Sequence, residues 1–195
     1  MIIDKITKKK AQEYYDNLLR CANHIPPHKI SREDLSLERA FERDAEKLFP
    51  FIYVPPYGVC TSTEPMVSGM FGYCNGIVLV DNYRMSMSSI HSLPEDCLDG
   101  MIGRHFSKAF EDLKIPKNER ASRLCALVLP SKEDAKKIIT SICASEGIKD
   151  ITYAPGEFYE MVDGEKRVLH KHIIAIPSRG HVRVYTPEKI HRYFF

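Results

Sequence analysis

The segment Ser68-Gly69-Met70-Phe71-Gly72-Tyr73-Cys74-Asn75-Gly76 sets three glycines and a cysteine ahead of the apolar run Ile77-Val78-Leu79-Val80. A nucleophilic thiol asks for such a setting, because a tight, glycine-permitted backbone leaves the sulfur reachable and lets backbone N–H groups converge on a developing oxyanion. Local sequence leaves a second reading open, a glycine-rich loop around a buried, inert cysteine. A thiol of ordinary pKa is mostly protonated near neutrality, so a catalytic one needs a histidine within hydrogen-bond reach. His91 follows Cys74 by seventeen residues, beyond the turn at Asp81-Asn82-Tyr83-Arg84. Two antiparallel strands joined at that turn bring their far ends together, and with them the thiol and the imidazole.

The elements that must position this pair follow from periodicity. Residues 76–80 form a continuous apolar strand of the kind covered on both faces, with residues 88–93 as its neighbour. Leu98, Met101, Ile102, His105, Phe106, Ala109, Phe110 and Leu113 recur at helical spacing, a strand follows over 124–129, and Pro130-Ser131 opens a second helix to about Ala144. Residues 158–162, the turn Asp163-Gly164, the run 167–176, the turn Ser178-Arg179-Gly180 and residues 181–185 then describe an antiparallel meander. The expected class is α+β, a mixed and largely antiparallel sheet packed against helices. Residues 1–55 differ from residues 56–195 in being helical and charged. One helix is expected around 7–21, broken by Pro26-Pro27. A second runs from Ser31 to Leu48, with Leu37, Phe41, Ala45 and Leu48 on its apolar face. Pro50, Pro55 and Pro56 mark the boundary of this N-terminal segment, a candidate cap or substrate-recognition element.

Residues 68–94 resemble the signature of the chemotaxis deamidase CheD: a hydroxyl residue, a glycine-rich turn ending in Gly-x-Cys, an apolar strand ending in Asp, and a strand ending in His-x-x-Leu-Pro or a close variant. Here these are Ser68, Gly72-Tyr73-Cys74, Asp81 and His91-Ser92-Leu93-Pro94. A similar Cys-His site occurs in the catalytic domains of cytotoxic necrotizing factors and of Burkholderia lethal factor. The chain departs from the family in Ser68 for Thr, in Tyr73 for a small residue, in Met87-Ser88-Ser89-Ile90 for Gly-Gly-x-Ala, and in Leu129-Pro130-Ser131 for a glycine-rich stretch.

The resemblance implies a CheD-like layered sandwich and a protein-glutamine deamidase. Cys74 would be the nucleophile, His91 the base, and Ser68 the residue that orients His91 or steadies the turn. Gly72 and Tyr73, with Cys74, would supply the oxyanion donors. No cofactor is implied, and the partner is a protein carrying the target glutamine. Related outcomes of the same acyl-thioester chemistry are transglutamination and cleavage of peptide or isopeptide bonds, and a binding module that has lost activity stands as a further class.

The remaining residues set limits. A net charge of +2 from 28 Lys+Arg and 26 Asp+Glu argues against a chain built mainly to hold nucleic acid. No stretch has the length or apolarity of a signal peptide core or a membrane span, which leads to the expectation of a cytoplasmic protein or one secreted into a host cell without a cleaved signal. The scattered cysteines favour reduced thiols, with Cys60, Cys97, Cys125 and Cys143 as core fillers and Cys97, close to His91 in sequence, as a decoy nucleophile. His170 and His172 alternate as if to share a face, but without a third ligand no metal is expected. His105 reads as a packing histidine whose hydrogen bonds are satisfied, Arg179-Gly180-His181 as a hairpin turn, and Lys8-Lys9-Lys10 as a solvated face. The oligomeric state and the target stay open.

Overall fold

The computed structural model describes residues 28–29, 39–48, 50–69, 71, 74–90, 95–156 and 158–195. The helix expected over 7–21 and the first part of the one expected over 31–48 lie outside these residues. In chain order the described elements are β1 (His28–Lys29), α1 (Arg39–Glu46), β2 (Ile52–Tyr53), β3 (Val59–Ser62), β4 (Met66–Ser68), β5 (Asn75–Asp81), β6 (Arg84–Ile90), α2 (Glu95–Leu113), α3 (Lys117–Arg123), β7 (Cys125–Leu129), α4 (Glu133–Ser145), β8 (Asp150–Tyr153), β9 (Phe158–Val162), β10 (Glu165–Leu169), β11 (His172–Ile176), β12 (His181–Tyr185) and β13 (Ile190–Phe194).

Two sheets carry the fold. One has the order β3-β6-β5-β7-β8 and the other β1-β2-β4-β11-β12-β13, while β9 and β10 form a separate hairpin. Only the β7–β8 and β2–β4 pairs are parallel among the described strands. The class is therefore α+β, with two mixed, largely antiparallel sheets packed together.

Three apolar clusters show how the layers stack. Ile77, Leu79, Ala126 and Val128 of the five-stranded sheet pack against Met101, Ile102, Phe106 and Ile139 of α2 and α4. The other faces of the same strands, through Val78, Val80, Met85, Met87 and Leu127, meet Met66, Ile173, Ala175, Val182 and Val184 of the six-stranded sheet. That sheet turns Val67, Ile174, Ile176 and Tyr185 outward onto Phe41 and Ala45 of α1. The order is helices, sheet, sheet, helix. Strand alternation explains why β5 is an unbroken apolar run, since odd and even residues both enter a core.

Residues on either side of the 55/56 boundary share this structure. The Ile52 and Val54 amides donate to Pro65 and Val67 carbonyls at 2.9 and 2.8 Å. Asp44 of α1 accepts from the Tyr185 hydroxyl at 2.7 Å and from Arg183 at 3.1 Å. Burial alone would raise the Asp44 pKa, but the Tyr185 hydrogen bond and the charges of Arg183, Lys47 and Arg43 bring it below the ordinary value. Of the apolar face expected on this helix, Phe41 and Ala45 are buried and Leu48 packs against them.

Two expectations need correction. The run 167–176 is not one strand, because β10 pairs back on β9 while β11 joins the six-stranded sheet. The chain breaks at His170, which is exposed, and Lys171, which is buried. His105 is 2% exposed on the inward face of α2 as expected, yet neither ring nitrogen has a hydrogen-bond partner. Its surroundings are apolar, and burial pushes its pKa from 6.5 down to about 4.

That cost fixes an acid response. Above pH 6.5 folded and unfolded chains both carry the neutral ring. Between pH 6.5 and about 4 the unfolded chain takes up a proton that the folded one refuses, so stability falls as pH drops, by about 3 kcal/mol in all. His105→Leu is expected to remove this component: urea midpoints at pH 7 and pH 4.5 should lie closer together in the variant than in the wild type.

Candidate functional site

Register places six strand ends at one end of the sandwich. Asn75 pairs with Ile90, Gly76 with Leu129, Val128 with Tyr153, and Ile173 with Ser68. The start of β5, the ends of β6, β7, β8 and β4, and the start of β11 therefore lie together, and so do the connections that follow or precede them. Cys74 enters β5 at this end.

Cys74 is in no disulfide, is 7% exposed, and belongs to the apolar layer between the sheets with Phe71, Val78, Leu129 and Ile173. His91, Gly72 and Tyr73 lie outside the described residues. What flanks them is described: Ile90, the residue before His91, is the Cα partner of Asn75, the residue after Cys74. Ser68 is buried, and its hydroxyl donates to the Val54 carbonyl at 2.7 Å, tying β4 to the chain leaving β2. A hydroxyl has one proton, so the remaining capacity of the Ser68 oxygen is to accept.

Gly69 and Gly76 of the motif answer to close packing. A Cβ at Gly69 would lie 2.6 Å from Nδ1 of His172, and one at Gly76 would lie 2.9 Å from Cδ1 of Ile173 and 3.2 Å from the Phe71 ring. Pairing also shifts here. Ile173 faces Ser68, but Lys171 exchanges both backbone hydrogen bonds with Phe71, one residue out of step. An extra residue on one strand is the mark of a bulge, a device that bends a strand end and re-aims its side chains. It falls directly ahead of Cys74.

Two polar side chains at this end went unremarked in the sequence. The Asn75 carboxamide accepts from the Ser131 amide at 2.7 Å and fixes the turn into α4 against the start of β5. Lys171 is fully buried, and its Nζ donates to the carbonyls of Gly156 at 2.8 Å and Pro155 at 3.4 Å. A lysine two residues ahead of the apolar run Ile173-Ile174-Ala175-Ile176 is the signal that could have drawn notice, because such a residue must sit on an edge or be buried with partners.

The other described cysteines are poor nucleophiles. Burial, then the nearby Asp112, pushes the Cys60 thiol up to about 11. Burial, followed by its hydrogen bond to Asp150, does the same for Cys125, and burial alone takes Cys143 to about 12. Cys143 is a core filler, whereas Cys60 and Cys125 are only half-buried. The Cys97 side chain lies outside the description. His170 and His172 do not share a face: the first is exposed, and the second stacks on Phe41 with ring centroids 4.7 Å apart. Among the described residues no group of three His, Cys, Asp or Glu could hold a metal ion, and no helix is long and apolar enough to cross a membrane.

No family model and no curated protein matches the chain. Its chemistry has to be argued from the residues.

The packing of Gly69 gives a direct test. The His172 ring is held by its stack on Phe41 and cannot give way freely, so Gly69→Ala should destabilise the fold by about 1–3 kcal/mol. Gly100, in α2, is the control, since a Cβ added there would meet nothing within 4 Å. Gly100→Ala should stabilise by about 0.5–1 kcal/mol. Urea denaturation of both variants decides whether the loop glycine is required by space.

Proposed function

We propose that the chain is a cysteine-dependent protein-glutamine deamidase. What supports the reading is the β5–β6 register, in which Asn75 and Ile90, the neighbours of Cys74 and His91, are paired. The raised pKa values of Cys60, Cys125 and Cys143 and the spare acceptor capacity of Ser68 agree with it.

In this mechanism His91 takes the proton of the Cys74 thiol, and the thiolate attacks the carboxamide carbon of a glutamine side chain. The oxyanion is met by backbone N–H groups of Cys74 and of Gly72 or Tyr73, a strong donor being worth about 3–4 kcal/mol. The imidazolium returns its proton to the departing nitrogen, and ammonia leaves behind a thioester. His91 then takes a proton from water, hydroxide adds to the thioester carbon, and collapse frees glutamate and the thiol. Glutamine and water become glutamate and ammonia, with no oxidant, reductant or cofactor. Ser68, accepting from the second imidazole nitrogen, would hold the ring in the tautomer that can receive the thiol proton. Within the N-terminal segment α1 covers the outer face of the six-stranded sheet while β1 and β2 are strands of it, and the proposed partner is a protein surface. A cytoplasmic protein or a bacterial effector delivered into a host cell fits this chemistry.

Incubation with candidate protein partners, followed by peptide mass spectrometry, should show conversion of one glutamine to glutamate. Cys74→Ala and His91→Ala should each lower the rate by about three orders of magnitude or more. Chain cleavage would point instead to a protease on the same residues, incorporation of an added amine to a transglutaminase, and unmodified but captured partners to a binding module.

A further inference from the structure

Among the described residues two Asp, Glu, Lys or Arg side chains are buried, Asp81 and Lys171. Asp81 ends β5 and pairs with Arg123 at 2.9 Å. Lys171 sits at the opposite end, the end at which Cys74 enters β5, with its backbone paired to Phe71. Ile173 and Ala175 point between the sheets, so alternation turns Lys171 that way. Its Nζ meets the carbonyls of Pro155 and Gly156, which follow Ala154, another member of the inter-sheet cluster.

The backbone brings this charge to the thiol. Lys171 and Phe71 exchange hydrogen bonds of 2.9 and 3.3 Å. Three chain steps separate Phe71 from Cys74, no more than about 11 Å between Cα atoms. The Phe71 ring and Ile173 both close on Gly76, and both share with Cys74 the apolar cluster between the sheets. Between two sheets a positive charge acts on an ionising thiol with little screening from water. Among the described residues the other titratable groups packed against this layer are Cys60, Cys125 and Tyr193, and the proposed mechanism adds His91. Burial raises the first three, with Asp112 adding to it at Cys60 and Asp150 at Cys125, so they are neutral at pH 7.

We propose that the buried Lys171 ammonium is a positioning residue for the proposed reaction: held by the Pro155 and Gly156 carbonyls, it favours the thiolate of Cys74. The inference rests on Cys74 being the nucleophile of the deamidase reading.

The test is the pH dependence of Cys74 alkylation by iodoacetamide, followed by peptide mass spectrometry so that each cysteine is read separately. In wild-type protein the Cys74 midpoint should fall below the ordinary thiol value of about 8.5. Lys171→Met should raise it by about one unit, seen as roughly tenfold slower alkylation at pH 6.5. Lys171→Arg, which keeps the charge, should move it far less, and the Cys60 and Cys125 profiles should not change. An unmoved midpoint in a folded Lys171→Met variant, verified by its circular dichroism and thermal melt, overturns the proposal. A wild-type midpoint at or above 8.5 overturns it without any variant. Alkylation needs no glutamine substrate, so a protein that shows the Lys171 shift but deamidates nothing refutes the deamidase reading alone.

Discussion

Every residue of β5 is buried, alternately against α2 and α4 and against the second sheet. A strand with both faces covered offers a reactive side chain only at its ends. One end carries Asp81, whose charge is met by Arg123. The other carries Cys74, where no strand continues and where the connections after β4, β6, β7 and β8 gather. The position of the thiol is thus a consequence of how the core is closed. Loops at the end of a rigid sandwich can vary without disturbing the layers beneath them.

The same constraint explains the glycines. Ile173 and Phe71 close on Gly76, and His172 closes on Gly69. Between these contacts the chain has to pass from one sheet to the other, from Ser68 in the six-stranded sheet to Asn75 in the five-stranded one, within a few residues. A side chain at Gly76 would press on Ile173 of the other sheet, and one at Gly69 would press on His172 of the neighbouring strand. The shifted pairing of Lys171 with Phe71 falls in the same stretch of chain.

Much of this was legible in the sequence, for physical reasons that can be named. Ile77 to Val80 announced a doubly covered strand, and Leu98 to Leu113 a helix, because long apolar patterns report burial directly. The short strands β3 and β4 were not legible. Their partners β6 and β11 lie far along the chain, and three or four residues carry too little periodicity. The break at His170-Lys171 was hidden for a related reason: β11 leaves its hairpin neighbour because Lys171 is drawn inward to carbonyls that no local pattern reveals. His105 follows the helical period faithfully, yet a period says which way a ring points and nothing about whether its nitrogens find partners. The cysteines were sorted partly by context. Only the environments of Cys60, Cys125 and Cys143, each disfavouring a thiolate, give that sorting an electrostatic cause.

Ser68 shows how one atom's bonding can narrow a role that sequence leaves broad. Sequence allowed it either to steady the turn or to orient His91. Its proton goes to the Val54 carbonyl, so the steadying contact exists. That contact also fixes the hydroxyl rotor and leaves only lone pairs available. A lone pair suits an imidazole N–H and cannot compete for the nitrogen that must accept the thiol proton. The two roles are therefore compatible, and the first sets the direction of the second. Met66 and Ser68 share a face of β4, and Met66 lies between the sheets, so the oxygen belongs to the layer that holds Cys74. Serine meets this requirement as well as threonine would, because the work is done by the oxygen and its single proton rather than by a methyl group.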